Sequence, residues 1–135
     1  MVLELADPQT LGDSVTEIWR TFSFDAAHYL PKVPDGHKCG GMHGHTYTVE
    51  VRLQGEVDPV TGWVRDFGDL KEAFKPLDVL LDHHVLNDVP GLDNPTSELL
   101  AKWLWDRLLV SLPELVSISV SETANSGVVY RGGQP

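Results

Sequence analysis

His43-Gly44-His45-Thr46-Tyr47-Thr48-Val49-Glu50-Val51-Arg52-Leu53-Gln54 decides the fold. The odd positions are His43, His45, Tyr47, Val49, Val51 and Leu53. After Gly44 the even positions are Thr46, Thr48, Glu50, Arg52 and Gln54. Successive side chains of a strand point to opposite faces, so the alternation predicts a strand with one face in the core and one in water. His43 and His45 then share the core face at the strand's first residues, where two imidazoles can hold one metal ion. Cys39, the only cysteine, lies just upstream, where a thiol could reach chemistry at that ion.

Working outward, Thr16–Leu30 also alternates. Ile18, Phe22, Phe24, Ala26 and His28 share one parity, interrupted by Arg20, and predict a first strand with His28 at its far end. Residues 31–42 form a loop with two prolines and three glycines that carries His37, Lys38 and Cys39. Beyond the second strand, Asp58-Pro59-Val60-Thr61-Gly62 is a turn. Asp66 could cap a helix through Leu70, Ala73 and Phe74 that Pro76 interrupts or ends. Leu77–Leu86 is apolar except for Asp78, Asp82, His83 and His84. A second helix is expected to start at Asn94-Pro95 and to bury Leu99, Leu100, Trp103, Leu104 and Leu108. Val116, Ile118, Val120 and Glu122 form a core-facing row, and Val128–Arg131 a short last strand.

The order ββααββ predicts an α+β domain, a four-stranded antiparallel sheet with two helices on one face. The exposed edges of so small a sheet favour an oligomer. Residues 1–16 read as an N-terminal extension and 17–135 as a single domain.

With 135 residues, 41% of them hydrophobic, the chain can bury a core. No apolar run reaches the roughly 18 residues of a membrane span, and residues 1–14 lack the basic start and apolar centre of a signal peptide. One cysteine excludes an internal disulfide and fits a reducing cytoplasm. The net charge of −10 argues against nucleic acid as a partner, because it leaves no basic footprint. An anionic substrate would therefore need a local positive centre, such as a metal.

Three histidines, His28, His43 and His45, end on apolar strand faces. Each alone could be a core histidine bonded to backbone. Together they suit zinc, which commonly takes three protein ligands in catalytic sites and leaves a fourth position open. Cys39 could close such a site as the fourth ligand or act on substrate as a thiolate, and spacing leaves both open. Asp82-His83 is either a carboxylate–imidazole pair or a polar patch at a helix end. Glu122 is an exposed strand end or an inward carboxylate able to bind a guanidine-like ring edge through two parallel hydrogen bonds. Thr96 and Ser97 either cap the helix or donate to a ligand.

Several of these motifs coincide with one family's. Phe24-Asp25-Ala26-Ala27-His28, Cys39-x3-His43-Gly44-His45-x-Tyr47, Leu81-Asp82-His83, Asn94-Pro95-Thr96-Ser97-Glu98, and Glu122-Thr123 followed by Tyr130-Arg131-Gly132 resemble the 6-pyruvoyl-tetrahydropterin synthase superfamily. The short gap between Cys39 and His43, with Gly36-His37-Lys38 before it, resembles the 6-carboxy-tetrahydropterin synthase branch of queuosine biosynthesis. The pyruvoyl branch usually has a longer gap. The resemblance implies the tunnelling fold, with sheets joined between subunits, often as a homohexamer of two trimers, and active sites at subunit interfaces. It implies zinc on His28, His43 and His45, Cys39 as proton acceptor, and His83 with Asp82 as a relay. It implies Glu122 as pterin anchor and possible relay member, and Thr96 and Ser97 along the pterin of a triphosphate substrate. Lys38, Arg65 and Arg131 are candidates for the triphosphate by charge.

Overall fold

The structure, a computed structural model, describes residues 14–133. Most of the expected extension, residues 1–16, lies outside the described residues, and Thr16 already opens the first strand. Strands β1 (Thr16–His28) and β2 (His43–Gly55) form a long antiparallel pair. Helices α1 (Phe67–Leu81) and α2 (Ser97–Leu108) follow, then β3 (Leu115–Thr123) and β4 (Ser126–Tyr130). All four strands make one antiparallel sheet in the order β1-β2-β3-β4.

The period-two pattern dictates the core. Tyr47, Val49, Val51 and Leu53 of β2 are fully buried, as are Ile118 of β3 and Leu70 and Leu81 of α1. Trp19, Thr21, Ser23 and Thr48 on the opposite face are exposed. The helices therefore cover one face only. α1 begins at Asp66, whose carboxylate accepts the Gly68 N–H at 2.9 Å. It continues through Pro76 to Leu81 instead of stopping there. Pro76 and Glu72, the residue whose carbonyl it leaves unbonded, are both exposed, so water can serve that carbonyl.

Other expectations need correction. β1 ends at His28, not Leu30, and β4 is Ser126–Tyr130. α2 starts after Thr96, whose hydroxyl accepts the Leu99 N–H at 3.1 Å; Pro95 precedes the helix and is buried. Leu99 stays 43% exposed and is not part of the core stripe, which Ala101 joins instead. The row Val116, Ile118, Val120 fails at its first member. The β2–β3 register shifts between Arg52 and Leu53, so Leu115 and Ser117 are buried and Val116 is the extra, half-buried residue of a bulge.

Among the described residues, no helix is long and apolar enough to cross a membrane. Leu104 is fully buried where α2 meets the sheet. Leu104→Ala should lower unfolding free energy by about 2–5 kcal/mol in a denaturant titration, through lost transfer energy and the cavity left behind.

Candidate active site

The β1–β2 register sets His28 directly opposite His43, and Ala26 opposite His45. Alternation places all three imidazoles on the core side of the strand ends. One ligand atom from each lies within 4.8 Å of the others, and Cys39 is not in that group.

Hydrogen bonds fix the tautomers of two of these rings. His28 Nδ1 lies 2.9 Å from the Pro95 carbonyl oxygen, and His43 Nδ1 lies 2.7 Å from that of Gly41. A carbonyl only accepts, so both Nδ1 atoms carry the proton. In the neutral rings both Nε2 atoms are then bare, and they face each other at 3.1 Å. Two lone pairs in that position repel. Burial lowers the His28 pKa, which works against relieving the clash by protonation. His45 Nε2 is buried without a hydrogen-bond partner. A cation between the three nitrogens resolves all of this, so the residues fit a metal ion.

Around the triad, the Tyr47 hydroxyl lies 3.1 Å from His28 Nδ1 and shares its proton with the Pro95 carbonyl. Burial, helped by Glu122, pushes the Tyr47 phenol well above its ordinary pKa, so it stays protonated. Glu122 stands 3.7 Å from both His28 Nε2 and His45 Nε2, beyond hydrogen-bond reach but close enough to favour positive charge there. Glu122 and Ser97 also line a cavity of about 240 Å³ between the α2 start and β4. Thr96 spends its hydroxyl on the helix cap.

Asp82 and His83 form a pair despite being adjacent, because His83 has φ 60. This left-handed backbone lets His83 Nδ1 reach Asp82 Oδ2 at 3.0 Å. Such a conformation persists only when its surroundings enforce it. Here the enforcement comes from the outer edge of β1. The His83 N–H donates to the Asp25 carbonyl at 2.6 Å, the Asp25 N–H to Asp82 Oδ1 at 3.0 Å, and the Ala27 N–H to the His84 carbonyl at 3.0 Å. The Thr46 hydroxyl in turn donates to Asp25 Oδ1 at 2.6 Å. The His83 ring is 77% exposed and lines a cleft of about 560 Å³ together with His45, Thr46 and Gly44.

Cys39 sits on a short 3-10 turn, Lys38–Gly40, and is partly exposed. Lys38 beside it is exposed, as is Arg131. Arg65 is already committed, to the Ser111 carbonyl at 2.8 Å, Glu114 at 3.2 Å and Asp69 at 3.5 Å. It braces α1 against the segment after α2. Sequence reasoning overlooked Tyr47, Gly41, Pro95 and Asp25 as supports. The shared parity of Tyr47 with His45 could have exposed the first; nothing local links Pro95 to His28 across 67 residues.

The sequence matches 6-pyruvoyl tetrahydropterin synthase as a family over residues 17–133. The chain belongs to that family. It is 40% identical over 119 residues to a 6-carboxy-5,6,7,8-tetrahydropterin synthase from Synechocystis sp., covering 84% of this chain and 91% of the relative. It is 37% identical over 132 residues to the 6-pyruvoyl tetrahydrobiopterin synthase of Homo sapiens, covering 86% and 91%. The solved Caenorhabditis elegans 6-pyruvoyl tetrahydropterin synthase superposes with a TM-score of 0.81 at 29% identity, covering 89% of this chain and 97% of that one. The sheet and its two helices are thus the tunnelling fold of the 6-pyruvoyl tetrahydropterin synthase family, and the chain is a pterin synthase.

The Asp82–His83 pair should be visible in titration. The backbone N–H of Asp25, then His83, hold the Asp82 pKa below its ordinary 3.8, while the hydrogen bond to Asp82 raises that of His83 above 6.5. The Asp82 contribution to stability is present above pH 3.8 and fades as pH falls through its lowered folded value. The His83 contribution is present below pH 6.5 and fades as pH rises through its raised folded value. Both act together between those limits. Asp82→Asn should return the His83 ring titration, followed by NMR, toward 6.5; an unmoved midpoint would contradict the pairing.

Proposed function

We propose that the chain is a zinc-dependent lyase. It converts 7,8-dihydroneopterin triphosphate and water to 6-carboxy-5,6,7,8-tetrahydropterin, acetaldehyde and triphosphate, in queuosine (7-deazaguanine) biosynthesis. The observation that carries the metal-dependent reading is the pair of bare Nε2 atoms of His28 and His43 facing each other at 3.1 Å. The short Cys39-x3-His43 spacing and the 40% identity to a 6-carboxy-tetrahydropterin synthase support this branch.

Zinc on His28, His43 and His45 would keep its full charge among neutral ligands and could polarise a substrate hydroxyl or carbonyl. Cys39 takes a proton from the substrate side chain. His83, oriented by Asp82, moves a proton on the opposite face. Glu122 anchors the pterin through two parallel hydrogen bonds to its guanidine-like edge. This requires it to turn its carboxylate toward the cavity it shares with Ser97. Ser97 and Thr96 lie along the pterin, Thr96 through atoms its cap leaves free. Elimination of triphosphate and cleavage of the side chain need no redox cofactor. Subunits assemble as a homohexamer of two trimers, which covers the sheet edge at β4 and that of β1 ahead of Asp25.

A second reading has support of its own, since pyruvoyl-forming relatives reach 38% identity over 90% of the chain. That activity eliminates triphosphate and keeps the carbon chain. Purified enzyme given dihydroneopterin triphosphate should release acetaldehyde; a pyruvoyl pterin as the sole product would establish the second reading. Cys39→Ala should lower kcat by at least ~100-fold, since a positioned acid or base contributes about that much or more, while zinc stays near one per chain. Undiminished activity in this variant would remove Cys39 from its role, and absence of turnover in the native protein would leave a zinc-stabilised pterin-binding module.

A further inference from the structure

The turn that carries Cys39 has almost nothing in its own composition to hold it. It is a single 3-10 turn, Lys38–Gly40, with no buried residue, followed by Gly41. With no side chain of the turn buried, hydrogen bonds of its backbone groups carry much of its placement. Cys39 takes part in two. Its carbonyl accepts the Leu30 N–H at 2.8 Å, which ties the turn to the residues just after β1. Its N–H donates to His37 Nδ1 at 3.0 Å. His37 is itself seated: its N–H donates to the Pro34 carbonyl, and its carbonyl accepts the Gly40 N–H, both at 3.0 Å.

We propose that His37 is the positioning residue for Cys39, its Nδ1 capping the turn and fixing where the thiol points. The inference rests on Cys39 being the base of the proposed reaction. A backbone N–H can only donate, so Nδ1 must carry the lone pair and the ring proton must sit on Nε2. The bond spans two residues, side-chain acceptor to the N–H at i+2. This is the geometry that Asn and Asp form in an Asx turn. His37 thus does with an imidazole what a short amide side chain does elsewhere. The consequence for chemistry is geometric. A thiolate must approach its proton within hydrogen-bond reach, and a turn free to rock between glycines spends less time in that position.

The test compares His37→Ala with His37→Asn in the zinc-loaded enzyme. His37→Ala removes the acceptor, and His37→Asn supplies one of Asx-turn reach. Because Cys39 is the only cysteine, labelling with 15N-cysteine gives a single amide signal whose exchange with solvent reports this bond without reference to turnover. The alanine variant should exchange roughly fivefold faster or more, as loss of a side-chain cap predicts, and the asparagine variant should restore slow exchange. In steady-state assays His37→Ala should lose about tenfold in kcat with KM within twofold of native, and His37→Asn should recover most of it. Unchanged exchange in the alanine variant would overturn the proposal. So would a large rise in KM that asparagine fails to correct, since the ring would then be contacting substrate. If Cys39→Ala retains full activity while His37→Ala still speeds exchange, the hydrogen bond stands and the role of Cys39 as base falls.

Discussion

The pairing of β1 with β2 in a single register is the constraint on which the rest of the structure depends. Thirteen residue pairs run from Thr16 opposite Gly55 to His28 opposite His43. A slip of one residue would send every side chain of one strand to the other face. Either Phe24 and Ala26 of β1 or Tyr47 and Val49 of β2 would leave the core, and the imidazoles would no longer converge. Burial of the apolar rows therefore enforces the same register that assembles the triad. Core and site are two readings of one alternation.

The site's remaining parts are attached to those strand ends from distant positions. Pro95, just before α2, closes on His28 through its carbonyl oxygen. The Asp82–Val85 segment, just after α1, lies along the outer edge of β1, with Ala27 and Val85 bridged in parallel. Glu122 arrives from β3. Each helix thus ends or begins at the cluster, and the core that holds the helices on the sheet also sets the distances at the site. The left-handed His83 is tolerated because the Asp25 carbonyl accepts its N–H while the Asp25 N–H donates to the neighbouring Asp82 carboxylate.

Much of this was legible in the residues. Period two gave β1, β2 and the shared face of His28, His43 and His45, because alternation survives any tertiary context that buries one side. The bulge at Val116 was not legible: Leu115, Val116, Ile118 and Val120 are all apolar, and only the β2 partner decides which of the first two turns inward. Pro76 misled because the penalty for proline in a helix depends on whether the freed carbonyl meets water. The tautomers of His28 and His43 could not be read at all, since they depend on carbonyls of Pro95 and Gly41. Tyr130-Arg131-Gly132 acquires a packing explanation only in three dimensions. Tyr130 sits edge-on to Trp105 at 5.5 Å between ring centroids. Gly132, with φ 89, passes so close to the same ring that a Cβ would lie 2.5 Å from it.

In the proposed metal site three neutral imidazoles, without the thiol, are the protein's share. X-ray absorption at the zinc edge of the loaded protein tests this most directly. The expected spectrum has three nitrogen ligands at about 2.0–2.1 Å, with light-atom ligands completing the shell and no sulfur. A sulfur scatterer at about 2.3 Å would instead place Cys39 on the metal and rule out the three-imidazole site.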